Sequence, residues 1–237
     1  MGSVVVAPEG LNGALAVPDG CEAALEAALV EAAVFSAAPR LNWAAAVSRM
    51  SPFIRLRVTT KPYALTDGLA VPLALSAHSP SEMAPAAWHE ALRAPRAASI
   101  IDVRNANESN VGRFDFSLAL NTSTFADTWP ALELALAGRP RNEPVLMYCT
   151  GGVRCAKAGA YARERLGFAD VRSLRGGIVA YEKWLSDEAP QAESRFRGEN
   201  FVFDRRRRHG PPSDDASDAD ASDVDAAAGA GSDAAGR

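Results

Sequence analysis

Four apolar residues, Val145-Leu-Met-Tyr148, run straight into Cys149-Thr-Gly-Gly152, and an alanine-rich stretch with Arg154 and Lys157 follows to Tyr161. An apolar run of strand length that meets a glycine pair and then a helix-forming segment reads as strand, tight loop and helix. A buried strand feeding directly into a helix belongs to a parallel α/β sheet, and it leaves Cys149 at the mouth of the loop. Gly151 and Gly152 let the backbone curl so that successive N–H groups turn inward, and the positive end of the helix adds to them. Thr150, Gly151, Gly152, Val153 and Arg154 thus form a candidate anion cradle for Cys149, the candidate nucleophile, held as thiolate or persulfide. Arg154 and Lys157 add positive charge.

Sulfur transfer and phosphate-ester hydrolysis both use such a loop. A cysteine-phosphatase loop places its arginine one position further on, where Cys155 stands here, which disfavours that chemistry. Cys155 itself reads either as a resolving thiol or as a residue packed in the first turn of the helix.

Around this loop, strand and helix alternate over residues 97–190. Ser99-Ile-Ile-Asp-Val-Arg104 is an apolar strand ending in charge, Trp129 to Ala137 a helix closed by Gly138 and Pro140, and Val171–Leu174 a last strand before Gly176-Gly177 opens a helix. The fold class is α/β, a parallel sheet with helices on both faces. Asp102 and Arg104 fall where strand C-termini gather. A structural pair tying strand to loop is the simpler role for Asp102.

Residues 1–72 read differently. Val4–Val6 and Ala14–Val17 form a hairpin whose turn lies in Pro8-Glu-Gly-Leu-Asn-Gly13, Cys21–Val34 a helix, and Phe53–Val58 a strand. Strand, strand, helix, strand is most of a ferredoxin-like α+β unit. Residues 73–96, with three prolines, read as a linker with a short helix near Ala86–Leu92. His78 and His89 are a loop residue and a polar helix face, without partners at metal-ligand spacing. Residues 191–210 form an arm that interleaves aromatics with arginines, a pattern suited to bases and phosphates, with Arg205, Arg206, Arg207 and Arg208 as RNA-contact candidates. Residues 211–237 hold seven Asp and one Arg with no apolar period, an expected disordered acidic tail. The formal charge of −4 for the chain and −6 for that tail leave +2 on residues 1–210, which permits an RNA partner.

Three cysteines, Cys21, Cys149 and Cys155, make no disulfide framework and point to a reducing compartment. No run has the length of a membrane span and the start is unlike a secretory signal, so a cytoplasmic protein is expected, an organellar address remaining open if the N-terminus is shortened. No flavin, nicotinamide, non-haem iron or other metal motif is present.

Cys149-Thr-Gly-Gly-Val-Arg-Cys155, followed by Lys157-Ala158, resembles the active loop of the rhodanese-domain tRNA uridine hydroxylases. Glu9-Gly-Leu-Asn-Gly13, Asp102-Val-Arg104 with Glu108 and Gly112 after it, and Gly198-Glu-Asn-Phe-Val-Phe-Asp-Arg205 match in the same order. The first and last are not general rhodanese features. The resemblance implies a rhodanese-like domain behind an acylphosphatase-like one, an essential Cys149, and oxygen-dependent conversion of the wobble uridine to 5-hydroxyuridine. Molecular oxygen is then the co-substrate and tRNA the partner, with neither DNA nor membrane, and Glu9 and Asn12 face the RNA or the active loop. Arg113 stands where the family has His, and Ala156 where it often has Glu. The family also has a strand and helix before the hairpin and often a cysteine-rich segment after the basic run, so this chain is expected to be a member shortened at both ends. A sulfurtransferase carrying a persulfide on Cys149, and a rhodanese fold used only for binding, are the alternatives.

Overall fold

The computed structural model describes residues 1–32, 41–44, 52–93, 98–202 and the backbone of 208–209. The N-terminal unit is built from β1 (Gly2–Ala7), β2 (Gly10–Leu15), α1 (Glu22–Glu31) and β3 (Leu56–Thr60). The succession is the expected one, and the sheet order is β2-β1-β3, with β2 antiparallel and β3 parallel to β1. Ala7 pairs with Gly10, so the hairpin turn is Pro8-Glu9 alone. The turn anticipated across Pro8–Gly13 is therefore corrected: Gly10, at φ 136°, starts β2, and Asn12 and Gly13 pair within the ladder.

A connector from Lys61 leads to α2 (Leu75–His78), β4 (Ser81–Met83) and α3 (Pro85–Ala91). These elements belong to the second domain, which corrects the linker expected over residues 73–96. β4 is the edge strand of the main sheet, and Trp88 on α3 is fully buried in its core. The prolines suggested a linker, yet Pro85 occupies the first turn of α3, where its missing N–H has no helical partner to lose. His89 is likewise buried, its Nδ1 2.9 Å from the Tyr181 hydroxyl.

The sheet continues with β5 (Ser99–Asp102), and after it come α4 (Ala106–Ser109), β6 (Gly112–Phe114), β7 (Leu118–Ala119), a 3-10 turn at Phe125–Asp127 and α5 (Thr128–Ala135). Next are β8 (Val145–Tyr148), α6 (Val153–Glu164), β9 (Val171–Leu174) and α7 (Gly177–Asp187). The strand order is β4-β9-β8-β5-β7, all parallel. Helices cover both faces, so the central strands are apolar without alternation. Period-two geometry sends Val145 and Met147 to one core with Ile101, Leu132 and Ala158, and Leu146 and Tyr148 to the other with Trp88, Ile100, Ile178 and Tyr181. Each large apolar side chain so buried contributes about 1.5–3 kcal/mol. Together they fix the end of β8, from which Cys149 emerges.

The C-terminal arm packs on this domain. β10 (Phe196–Gly198) pairs antiparallel with β6, Phe196 meets Phe114 edge-on at 5.2 Å, and Arg197 pairs with Asp115. β11 (Asn200–Phe201) pairs with β12 (Arg208–His209). Among the described residues, no helix is long and apolar enough to cross a membrane.

Candidate active site

Cys149 is the first residue beyond β8, and its loop closes on the N-terminus of α6. Gly152, at φ 99°, turns its N–H onto the Cys149 sulfur at 3.1 Å. The Cys155 side chain is fully buried one turn into the helix and points at the same sulfur, and its backbone N–H also bonds there. A hydrogen bond from the Cys155 thiol, then the charge of Arg154 and the amides of Cys155 and Gly152, outweigh burial and bring the Cys149 thiol down to about 5. Burial and that same shared hydrogen bond push Cys155 well up. In the bond between the two sulfurs the Cys155 thiol donates and the Cys149 sulfur accepts. At neutral pH Cys149 is a thiolate, the form that acts as nucleophile.

Amides can face the sulfur because the loop carbonyls face away. Ile178 N–H donates to the Cys149 carbonyl at 3.0 Å and Val179 N–H to the Thr150 carbonyl at 3.2 Å. These are first-turn donors of α7 that no helical partner would satisfy. Contact this close requires glycine at position 177, whose φ is 64°. A Cβ there would lie 2.4 Å from each of the two carbonyl oxygens. Gly176-Gly177, read in the sequence as a helix start, is thus the seat on which the loop rests.

Arg154 reaches sideways to Glu108 on α4, Nη1 to Oε2 at 2.5 Å and Nη2 to Oε1 at 2.6 Å. Thr150 Oγ1 donates to Glu108 Oε1 at 3.1 Å and lies 3.2 Å from Arg154 Nη2. Glu108, fully buried, also accepts the Asn105 N–H as part of a capping box. Val153 is exposed at the first position of α6. Glu108 matched the pattern in the sequence without an assigned role, and nothing local could have linked it to Arg154.

Asp102 and Arg104 form a separate lock behind the loop. Asp102 accepts Arg104 Nε at 2.9 Å and Nη2 at 2.6 Å, together with the Tyr148 hydroxyl at 2.8 Å, and Arg104 Nη2 also donates to the Gly112 carbonyl. The guanidinium carbon lies 5.6 Å from the Tyr148 ring centre and 5.7 Å from that of Phe196. Both side chains are fully buried, and what they hold is the end of β8 and the arm strand β10.

Lys157 departs from the expectation. It lies one position past Ala156 on the helix face that turns from the loop, and its Nζ donates to Asp67 at 2.7 Å and the Leu65 carbonyl at 3.0 Å and pairs with Glu9 at 3.1 Å. For Glu9 and Asn12 the expected contact with the active loop is corrected. Glu9, open to solvent, accepts the Ala64 N–H at 2.7 Å and pairs with Lys157 on α6, and Asn12 donates to the Ala64 carbonyl at 3.1 Å, so together they hold the connector beside α6. The Glu-Gly-Leu-Asn-Gly motif is an interdomain clamp. Arg205, Arg206, Arg207 and Phe203 lie outside the described residues, and of Arg208 only the backbone pairing with Phe201 is described.

One contact escaped the sequence altogether: Asn42, in the N-terminal unit, donates from Nδ2 to the Gly151 carbonyl at 3.0 Å.

The rhodanese-like domain family matches residues 85–183. The tRNA uridine(34) hydroxylase of Jannaschia sp. (strain CCS1) is 35% identical over 205 residues, 86% of this chain and 64% of that protein. That of Deinococcus radiodurans is 34% identical over 205 residues, with the same shares of 86% and 64%. That of Synechococcus sp. (strain CC9902) is 33% identical over 216 residues, 87% of this chain and 67% of that protein. The chain belongs to the tRNA uridine(34) hydroxylase family. It spans 64% of the length of the first two of these relatives. In this chain the rhodanese-like sheet carries the cysteine loop, and the contacts of Glu9, Asn12 and Lys157 join the N-terminal unit to it.

Proposed function

We propose that this protein is a tRNA uridine hydroxylase that converts the wobble uridine to 5-hydroxyuridine in an oxygen-dependent reaction, with Cys149 as the catalytic thiolate, tRNA as substrate and the cytoplasm as its place of action. One observation carries the reading. The sulfur of Cys149 is surrounded by donors, from Gly152 and Cys155, in a chain that is 35% identical over 86% of its length to a relative bearing that name. A thiolate held in this way is nucleophilic at neutral pH and stabilises a neighbouring anion poorly, so its use is covalent. Molecular oxygen enters this reading as a co-substrate.

The test is expression of the chain in cells that lack wobble hydroxylation, with nucleoside mass spectrometry of their tRNA. 5-Hydroxyuridine should appear with the wild-type chain and be absent with Cys149→Ser. Absence in both, alongside robust transfer of sulfur from thiosulfate, would replace this reading by a persulfide-carrying sulfurtransferase.

A further inference from the structure

The inward amides of the active loop exist because three successive carbonyls are turned outward, and each has its own donor. α7 holds two of them, those of Cys149 and Thr150. The third, on Gly151, is held by Asn42 Nδ2 at 3.0 Å, a residue 109 positions away in the N-terminal unit.

A trans peptide is planar, so its C=O and N–H point in opposite directions. The Gly151 carbonyl and the Gly152 N–H belong to one such plane, and the Gly152 N–H is the donor 3.1 Å from the Cys149 sulfur. Fixing the first fixes the second. A peptide between two glycines is also the one in the loop that can flip at least steric cost. We propose that Asn42 is a positioning residue: by holding the Gly151 carbonyl outward it keeps the Gly152 N–H on Cys149, so that the N-terminal unit completes the anion cradle of the rhodanese-like domain from outside.

Two further contacts fit that task. Asn42 Oδ1 sits against Gly176, 2.5 Å from where a Cβ would project, so the carboxamide of this exposed residue bridges the two glycine segments of the site. The neighbouring Trp43 donates from Nε1 to Glu26 on α1 at 2.8 Å, which ties the segment to the helix of its own unit. The sheet domain supplies the sulfur and two carbonyl anchors, and the N-terminal unit supplies the third anchor. The inference takes Cys149 as the reactive group but holds for either reaction it could carry, so the tRNA assay and the test below fail separately.

The test is the pH titration of the Cys149 thiolate absorbance, read as the difference between each protein and the same protein with Cys149→Ser. Loss of one hydrogen bond to the loop should move the midpoint of Asn42→Ala upward by about half to one pH unit, a loss of roughly three- to tenfold in thiolate fraction below the midpoint. Asn42→Asp, which keeps the shape but sets a carboxylate against the Gly151 carbonyl, should move it further. Asn42→Gln, which keeps an amide donor, should keep the midpoint close to that of the wild type. A merely structural contact would lower the melting temperature and leave the titration in place, and wild-type midpoints in both Asn42→Ala and Asn42→Asp would overturn the proposal. Should Asn42→Ala not fold, Trp43→Phe removes only the indole donor, and it should shift the midpoint in the same direction by a smaller amount. No shift in that variant would also count against it.

Discussion

Glu108 and Arg154 meet through both carboxylate oxygens, at 2.5 and 2.6 Å, although 46 positions separate them. The pair is what sets the side wall of the cysteine loop, because Glu108 also receives Thr150 Oγ1. Its side chains are 0% and 11% exposed, so removal of one partner strands a buried charge. Arg154→Ala or Glu108→Ala is expected to cost about 3–5 kcal/mol in chemical denaturation. Arg154→Lys, which cannot reproduce the two-point contact, should recover only a part of it.

The Cys155 thiol donates a hydrogen bond to the Cys149 sulfur. Cys155→Ala removes the thiol donor while leaving the backbone amides, so the Cys149 midpoint should rise toward the ordinary thiol range, at a packing cost of about 1 kcal/mol. Cys155→Ser keeps an O–H donor and should keep the low midpoint. Thiolate absorbance against pH checks both, with thermal melts as the control for packing.

The seat under the loop is equally exacting. Gly177→Ala would put a methyl group 2.4 Å from two carbonyl oxygens at a residue with φ 64°. The variant is expected to lose about 1–3 kcal/mol of stability and to raise the Cys149 midpoint as the loop is pushed off α7. Denaturation and titration on the same protein separate the two effects.

Glu9 and Lys157 join the two domains. Lys157 keeps Asp67 and the Leu65 carbonyl when Glu9 is lost, so Glu9→Ala should cost only about 1–2 kcal/mol, seen as earlier unfolding of the N-terminal unit. The Cys149 titration should not move while the N-terminal unit stays folded, because Asn42 then keeps its bond to the Gly151 carbonyl. Hydrogen exchange of β1 to β3 against β5 to β9 is the measurement that resolves it.

What could be read in the sequence was whatever one segment encodes by itself. Val145–Tyr148, the glycine pair and the helix that follows place the thiol without outside help, and Gly176-Gly177 announces a helix start. The partners were not readable, since Glu108, Asn42 and Glu9 act across 46, 109 and 148 positions and no periodicity links them to Arg154, Gly151 or Lys157. Turn chemistry misled at Pro8–Gly13, where cross-strand pairing with β1 draws Gly10 to Gly13 into a strand. Proline content misled at residues 73–96, where burial of Trp88 outweighs a composition typical of linkers.

Everything proposed for the site depends on Cys149 being an anion at neutral pH, and titration of its thiolate absorbance, taken as wild type minus Cys149→Ser, tests this directly. The midpoint is expected near 5. A folded pKa below the unfolded one stabilises the fold fully above the unfolded thiol's pKa, and that gain is lost as pH falls through the folded value. The stability gap between wild type and Cys149→Ser should therefore narrow steadily as pH is lowered toward 5. A midpoint at or above about 8.5, the value of a free cysteine, with a stability gap indifferent to pH, would contradict the account.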